Sequence, residues 1–152
     1  MADQPRDLSQ HRPCVGVMLT NADGLIFIGE RSDAPGAWQM PQGGIDKGED
    51  VVSAALRELK EETGTDKAEV LRVTGGWLAY DFPPNHGLGK WVGQKQRWVL
   101  ARFTGEDSDI DLTADDHQEF ITWRWATAEE VLSLIVEFKR PVYEAAIAEL
   151  LG

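Results

Sequence analysis

Three carboxylates, Glu58, Glu61 and Glu62, follow one another at i, i+3 and i+4 in the run Glu49 to Thr63. If that run is helical, each residue turns by about 100° and all three share one edge of the cylinder. With Leu59 set at zero, Val52, Ala55 and Leu56 fall within about 60° of it and form the stripe expected to dock the helix. Glu62, Glu58 and Glu61 follow at about −60°, −100° and −160°, directly beside the stripe. Like charges at these spacings weaken a helix unless water screens them or a cation binds them. A solvated acidic face is the plain alternative. Two features favour the cation. The stripe fixes the height of the edge above the core, and a glycine-rich segment (Gly43, Gly44, Gly48) feeds straight into the helix, so bare backbone and its carbonyls can approach a ligand. Oxygen donors without neighbouring His or Cys suit a hard ion, Mg²⁺ or Mn²⁺.

The elements that must position this edge are legible around it. Cys14–Leu19 reads as a buried strand, Asn21–Gly24 as a turn and Leu25–Glu30 as the return of a hairpin. Residues 31–48 carry six glycines and prolines, too long a loop to be a simple connector. The helix is expected from Glu49 to about Thr63 with Gly64 as its stop. Segments 69–82, 95–104 and 121–126 are aromatic and β-branched and read as strands. Helical patterns follow at about 128–136 and 140–151, with Pro141 suited to a first turn. Strands first, a helix inserted and helices last make an α+β class. Residues 1–12 are expected to be a flexible N-terminal leader and 13–152 a single domain.

The 152 residues are 42% apolar and 27% charged, which argues for a globular core and against wholesale disorder. Lys and Arg number 15 against 26 Asp and Glu, a formal charge of −11. Such a chain is ill suited to gripping nucleic acid by its general field, so a phosphorylated ligand needs local cations. Cys14 is alone, which excludes an internal disulfide. No run approaches a membrane span or a signal peptide, so a cytoplasmic protein is expected.

Gly43-x5-Glu49-x7-Arg57-Glu58-Leu59-x-Glu61-Glu62-x-Gly64-Thr65 resembles the Nudix box, the signature of hydrolases of nucleoside diphosphates linked to another group. Every glycine, glutamate and arginine of the box is in place. Its last position, commonly a larger aliphatic, is Thr65. The resemblance implies a Nudix fold, an α/β/α sandwich around a mixed central sheet. It also implies two or more Mg²⁺ or Mn²⁺ ions held by Glu58, Glu61 and Glu62 with the backbone of Gly43, and Arg57 and Glu49 bracing loop against helix.

The likeness runs on through Trp38–Asp46, Gly93–Trp98, Glu119–Trp125 and Phe138–Tyr143. These recur together in a subgroup of diadenosine tetraphosphate hydrolases and bacterial RNA pyrophosphohydrolases. That resemblance makes Glu119 a fourth metal carboxylate or the base. It points to Arg12, Arg31, Lys95, Lys139 and Arg140 as phosphate-facing cations. Tyr80, or alternatively Phe138, would be the platform for a base. The expected substrates are a dinucleoside polyphosphate, cut to ATP and AMP in the diadenosine case, and a 5′-triphosphate RNA end. Another Nudix substrate, an oxidised nucleoside triphosphate or a nucleotide sugar, and a non-catalytic nucleotide sensor are the alternatives. Trp38, Trp98, Trp123 and Trp125 are expected in packing roles and Cys14 as buried filler. His11, His86 and His117 are expected on the surface.

Overall fold

A computed structural model describes residues 7–84 and 89–152. The strands are β1 (His11–Thr20), β2 (Ile26–Arg31), β3 (Trp38–Gln39), β4 (Gln42–Gly44), β5 (Ala68–Val73), β6 (Leu78–Asp81), β7 (Gly93–Phe103) and β8 (Phe120–Ala126). The helices are α1 (Val51–Thr63), α2 (Ala128–Leu134) and α3 (Arg140–Leu151). The expected α+β class and mixed sheet are both present. β1 pairs in parallel with β7 over its full length, from His11↔Gly93 to Thr20↔Arg102, and the remaining pairings are antiparallel. β1 begins at His11, so it takes in the last two residues of the span expected to be a leader. His86 lies outside the described residues.

The expected hairpin closes only at its turn. Asn21 stabilises that turn by accepting from the amides of Asp23 and Leu25. Beyond Thr20↔Ile26, β1 and β2 part company. The glycine- and proline-rich segment, read as one loop, fills the gap with two short strands: β3 pairs with β2, and β4 pairs with Cys14–Gly16 of β1. A hairpin signal in sequence reports the turn. It does not report a third segment competing for the same strand edge. The strand expected over 69–82 likewise breaks into β5 and β6, because Gly75 and Gly76 interrupt pairing with β7.

Two cores flank the sheet. On one face Ala54, Ala55 and Leu59 of α1 pack on Val15, Val17, Leu19, Val99 and Ala101. On the other, α2 and α3 bring Val131, Val142, Tyr143, Ala146 and Leu150 against Met18, Ile28, Trp98 and Leu100. Trp98 is fully buried there, whereas Trp38, Trp123 and Trp125 pack at the core margins. Cys14 is buried, and burial pushes its thiol up to about 11. Among the described residues no helix is long and apolar enough to cross a membrane.

Helix α1 starts two residues later than expected because Asp50 caps it, accepting from the amide of Ser53 at 3.0 Å. Gly64 ends it at φ 78°, a left-handed conformation that costs glycine nothing. The face it buries is rotated from the expected stripe. Ala54, Ala55, Leu59, Glu62 and Thr63 are buried, while Val52 and Leu56 are only partly so. Of the carboxylate edge, Glu62 is therefore part of the buried face, Glu58 is half-buried and Glu61 stays exposed.

Candidate active site

The gap between β1 and β2 is where the chemistry gathers. A cavity of about 310 Å³ opens there, lined by Arg12, Gln42, Gly43, Gly44, Glu58, Glu61, Glu62, Asp115, His117 and Glu119. β4 forms one wall and α1 another, and Glu119 immediately precedes β8. The backbone of Gly43 runs so close to α1 that a Cβ there would sit 2.1 Å from the Glu58 carboxyl carbon. Only glycine permits that approach.

Arg57 organises the acidic side. Its Nε and Nη2 donate to the Glu49 carboxylate at 2.8 Å each, Nη2 also to the Gly44 carbonyl at 2.8 Å, and Nη1 to Glu58 at 2.9 Å and Glu61 at 3.4 Å. The guanidinium fork thus ties the loop to the helix, as the box resemblance implied. The hydrogen bonds from Arg57 and from the Asp46 amide hold Glu49 down to about 2.

The other carboxylates are destabilised as charges. Burial, then the charge of Glu61, lifts Glu58 to about 7 against the pull of Arg57. Glu62 is 5% exposed, and burial together with Glu58 and Glu119 drives it well above the carboxylate range. Its Oε1 accepts from the Gln42 amide at 3.4 Å, whereas the buried Oε2 has no hydrogen-bond partner. A buried carboxylate oxygen left unpartnered costs free energy unless a proton or a cation meets it. The donor set is all oxygen on the wall formed by Gly43, Glu58, Glu61 and Glu62, which fits a hard divalent ion. Among the described residues no three such groups already converge on a single ion position. Arg57 draws Glu58 and Glu61 toward itself, and His117 lies 3.4 Å from Glu119.

A second cavity, of about 160 Å³, adjoins the first and shares Gln42 and Glu119 with it. Arg31, Gln39, Tyr80, Phe82, Pro83, Gln94, Phe138 and Lys139 complete its lining. Gln96 joins the two cavities, its amide nitrogen donating to Gln42 at 2.7 Å and to Gln94 at 2.9 Å. Lys139 is 6% exposed, donates to Gln39 at 3.2 Å, and stands 5.8 Å from the rings of both Tyr80 and Phe138. Burial, assisted by the nearby charge of Arg31, lowers it to about 8. Tyr80 is 5% exposed, with its hydroxyl unpartnered, and packs 5.5 Å from Phe138. Phe138 is 39% exposed, so of the two aromatic candidates it offers the open face.

The structure thus brings together Glu58, Glu61, Glu62, Glu119, Gly43 and Arg12 in one cavity and Arg31, Tyr80, Phe138 and Lys139 in the next. Two predicted cations stand apart. Lys95 lies 4.9 Å over Trp77, and Arg140 pairs with Glu144 at 3.5 Å. Residue type and motif could not show this, because alternation along β7 sends Gln94 and Gln96 to the cavity side and Lys95 to the opposite face. Asp115 and His117 were missed as cavity residues, their only signal being the nearness of Glu119 in sequence. His11 is a further correction. It is 5% exposed and its Nε2 lies 2.7 Å from Asp81, because β1 begins earlier than its polar residues suggest.

The NUDIX domain signature matches residues 10–146, almost the whole chain. The chain belongs to the NUDIX family. It is 52% identical, over a 154-residue alignment, to a protein of Caulobacter vibrioides named RNA pyrophosphohydrolase, covering 96% of this chain and 89% of that one. A protein of the same name from Rhodospirillum rubrum is 53% identical over 146 residues, covering 93% and 88%. Among solved structures, the dihydroneopterin triphosphate pyrophosphohydrolase of E. coli superposes with a TM-score of 0.69 at 19% identity, over 91% of this chain and 98% of that one. An Ap4A hydrolase of C. elegans gives 0.65 at 20% identity, with the same coverage. These two likenesses are of fold. NUDIX hydrolases generally need divalent metal ions.

Proposed function

We propose that this NUDIX protein is a divalent-metal-dependent RNA pyrophosphohydrolase that takes the 5′-triphosphate end of an RNA and releases pyrophosphate. The observation that carries the reading is the pair of joined cavities. One is acidic and suits cation-borne phosphate, and the other is aromatic and basic and suits a nucleoside with its phosphate. The names of the half-identical relatives point the same way. The chain's charge of −11 opposes long RNA contacts, but a short 5′ end entering this pair of cavities meets local cations.

Glu58, Glu61, Glu62 and Glu119, with the Gly43 carbonyl, would hold Mg²⁺ or Mn²⁺, two or more ions. Bound there, the metal neutralises phosphate charge and lowers the pKa of water. Arg57 keeps Glu58 and the Gly44 carbonyl in fixed relation. Glu119, shared by both cavities, would accept a proton from an attacking water. Arg12 reaches the phosphate chain from β1, Lys139 and Arg31 face the nucleotide phosphate, and Phe138, backed by Tyr80, stacks on a base. Dinucleoside polyphosphates present the same grouping of nucleoside and polyphosphate and are the second substrate class. An RNA substrate implies a cytoplasmic place of action.

The test is a product assay with Mg²⁺ and a 5′-triphosphate oligoribonucleotide, run beside diadenosine tetraphosphate. Pyrophosphate and 5′-monophosphate RNA are expected, with Glu61→Gln nearly inactive. ATP and AMP from the dinucleotide, with the RNA untouched, would move the assignment to the second class. No hydrolysis of either would overturn both.

A further inference from the structure

The loop joining β6 to β7 carries two features that the joined cavities do not use. Lys90 Nζ stands 4.9 Å over the ring of Trp91, and these two residues with Ser9 and Gln10 line a third cavity of about 400 Å³. Both sides of it are anchored to the sheet. The amide of Val92 donates to the Gln10 carbonyl at 3.0 Å, and the amide of Phe82 donates to the Val92 carbonyl at 2.8 Å. Among the described residues, Lys90 has no carboxylate partner, although acidic residues outnumber basic ones by eleven. The same combination recurs on this hairpin where Lys95 covers Trp77, itself 40% exposed.

A lysine over a tryptophan face, with no acid paired to it among the described residues, is chemistry suited to an unpaired nucleotide. The ring offers a stacking surface and the ammonium meets the backbone phosphate. Its position relative to the catalytic cavity is close. Gln10 of the third cavity precedes Arg12 of the acidic cavity by two residues, a reach of at most about 7 Å along the chain. Phe82 and Pro83 of the second cavity belong to the same hairpin end.

We infer that the Lys90–Trp91 cavity is a subsite for a downstream nucleotide of the RNA strand, its base stacked on Trp91 and its phosphate against Lys90. This deepens the function proposed above and rests on that reading. An unpaired 5′ end long enough to span from the acidic cavity to Trp91 then gains contacts that a dinucleotide cannot make.

The test compares 5′-triphosphate RNAs of two and eight nucleotides, both unpaired. The wild-type enzyme should give a higher kcat/KM on the octamer. Trp91→Ala should remove about tenfold from the octamer and leave the dinucleotide unchanged, as expected for the loss of one stacked base. Trp91→Phe should restore most of that loss. Lys90→Ala should flatten the salt dependence of octamer binding by about 0.7 in the log–log slope, one phosphate contact on a single strand. Equal loss on both lengths, no length preference in the wild type, or an unchanged slope would overturn the subsite. Anisotropy with a labelled 5′-monophosphate octamer separates this proposal from the one beneath it. Tight binding that depends on Trp91, without hydrolysis of any triphosphate RNA, would keep the subsite and remove the assigned reaction. Binding no tighter than that of a dinucleotide would remove the subsite.

Discussion

Gly43→Ala places one methyl group in the narrowest part of the site. The new Cβ would lie 2.1 Å from the Glu58 carboxyl carbon and 2.1 and 2.3 Å from its two oxygens. Ordinary contact begins at 3.4 Å, so the carboxylate must retreat by about 1.3 Å, a misplacement of the order that costs 10²-fold in rate. That is about 2.7 kcal/mol of barrier. The fold should survive. Gly43 lies in a short half-buried strand without a positive φ, and the obstructing atoms end a flexible side chain. Gly44→Ala is the matched control. Its Cβ would meet the Arg12 guanidinium at 2.5 Å and leave Glu58 alone, so it should raise KM more than it lowers kcat. Steady-state pyrophosphate release and thermal unfolding on both variants decide the matter. Gly43→Ala within threefold of the wild type, with unchanged unfolding, would refute the idea that the height of Glu58 above β4 governs the reaction.

The remaining predictions concern the charges. Glu62→Gln should abolish most activity yet raise the Tm of the metal-free protein at neutral pH, because burial beside Glu58 and Glu119 disfavours the ionised form that this carboxyl takes when unfolded, whereas an amide carries no such penalty; a lowered Tm would contradict this. Glu58 is lifted in the folded state to about 7 from an ordinary 4.5, so its contribution to stability is full below about 4.5 and is lost as the pH rises through about 7. Chemical denaturation of metal-free protein across that window should show the fall, and Glu58→Gln should flatten it. Adding Mg²⁺ above pH 7 should restore stability to the wild type by binding only the folded state. Arg57→Lys should cost at least tenfold in kcat despite keeping the charge, since an ammonium cannot span Glu49, Glu58 and the Gly44 carbonyl together; near-normal turnover would show that Arg57 acts only as a charge.

The sequence alone located the helix to within two residues and its three cavity carboxylates, because period, stop signal and box spacing are local properties, whereas Asp115 of the same cavity carried no such mark. Of the expected stripe, Ala55 and Leu59 are buried, but Val52 and Leu56 are only partly so and Glu62 is buried in addition. The alternation of apolar residues pointed to Val52 and Leu56, but Gly43 and Gly44 leave room for Glu58 and Glu62 to turn inward. Which side chain fills a gap depends on a neighbouring segment that is separate in sequence. His11 was misjudged for a similar reason: its burial comes from pairing with Gly93, eighty-odd residues away. The same holds for Lys95 and Arg140. A cation next to a recognisable motif carries no mark of which face of its strand or helix it will occupy.

The charge of −11 looks at first like an obstacle to acting on a polyanion, and the arrangement of the site shows why it is not. The acids of the reactive cavity are crowded on one wall, two of them pushed toward neutrality by burial and by one another. A divalent cation would relieve that strain, so on the proposed function repulsion among the glutamates becomes affinity for the ion that a polyphosphate needs. The basic side chains of the second cavity are treated in the opposite sense. Lys139 is buried against two aromatic rings and lowered to about 8 by burial and by Arg31, with Asp33 and Glu119 pulling the other way, and a phosphate there would favour its charged form. On the proposed function, a nucleotide carrying metal-borne phosphates would bring a cation to the acidic cavity and an anion to Lys139 and Arg31 at once. Selectivity for such a ligand over free phosphate or free nucleoside would follow from that coupling, since either fragment would satisfy only one of the two.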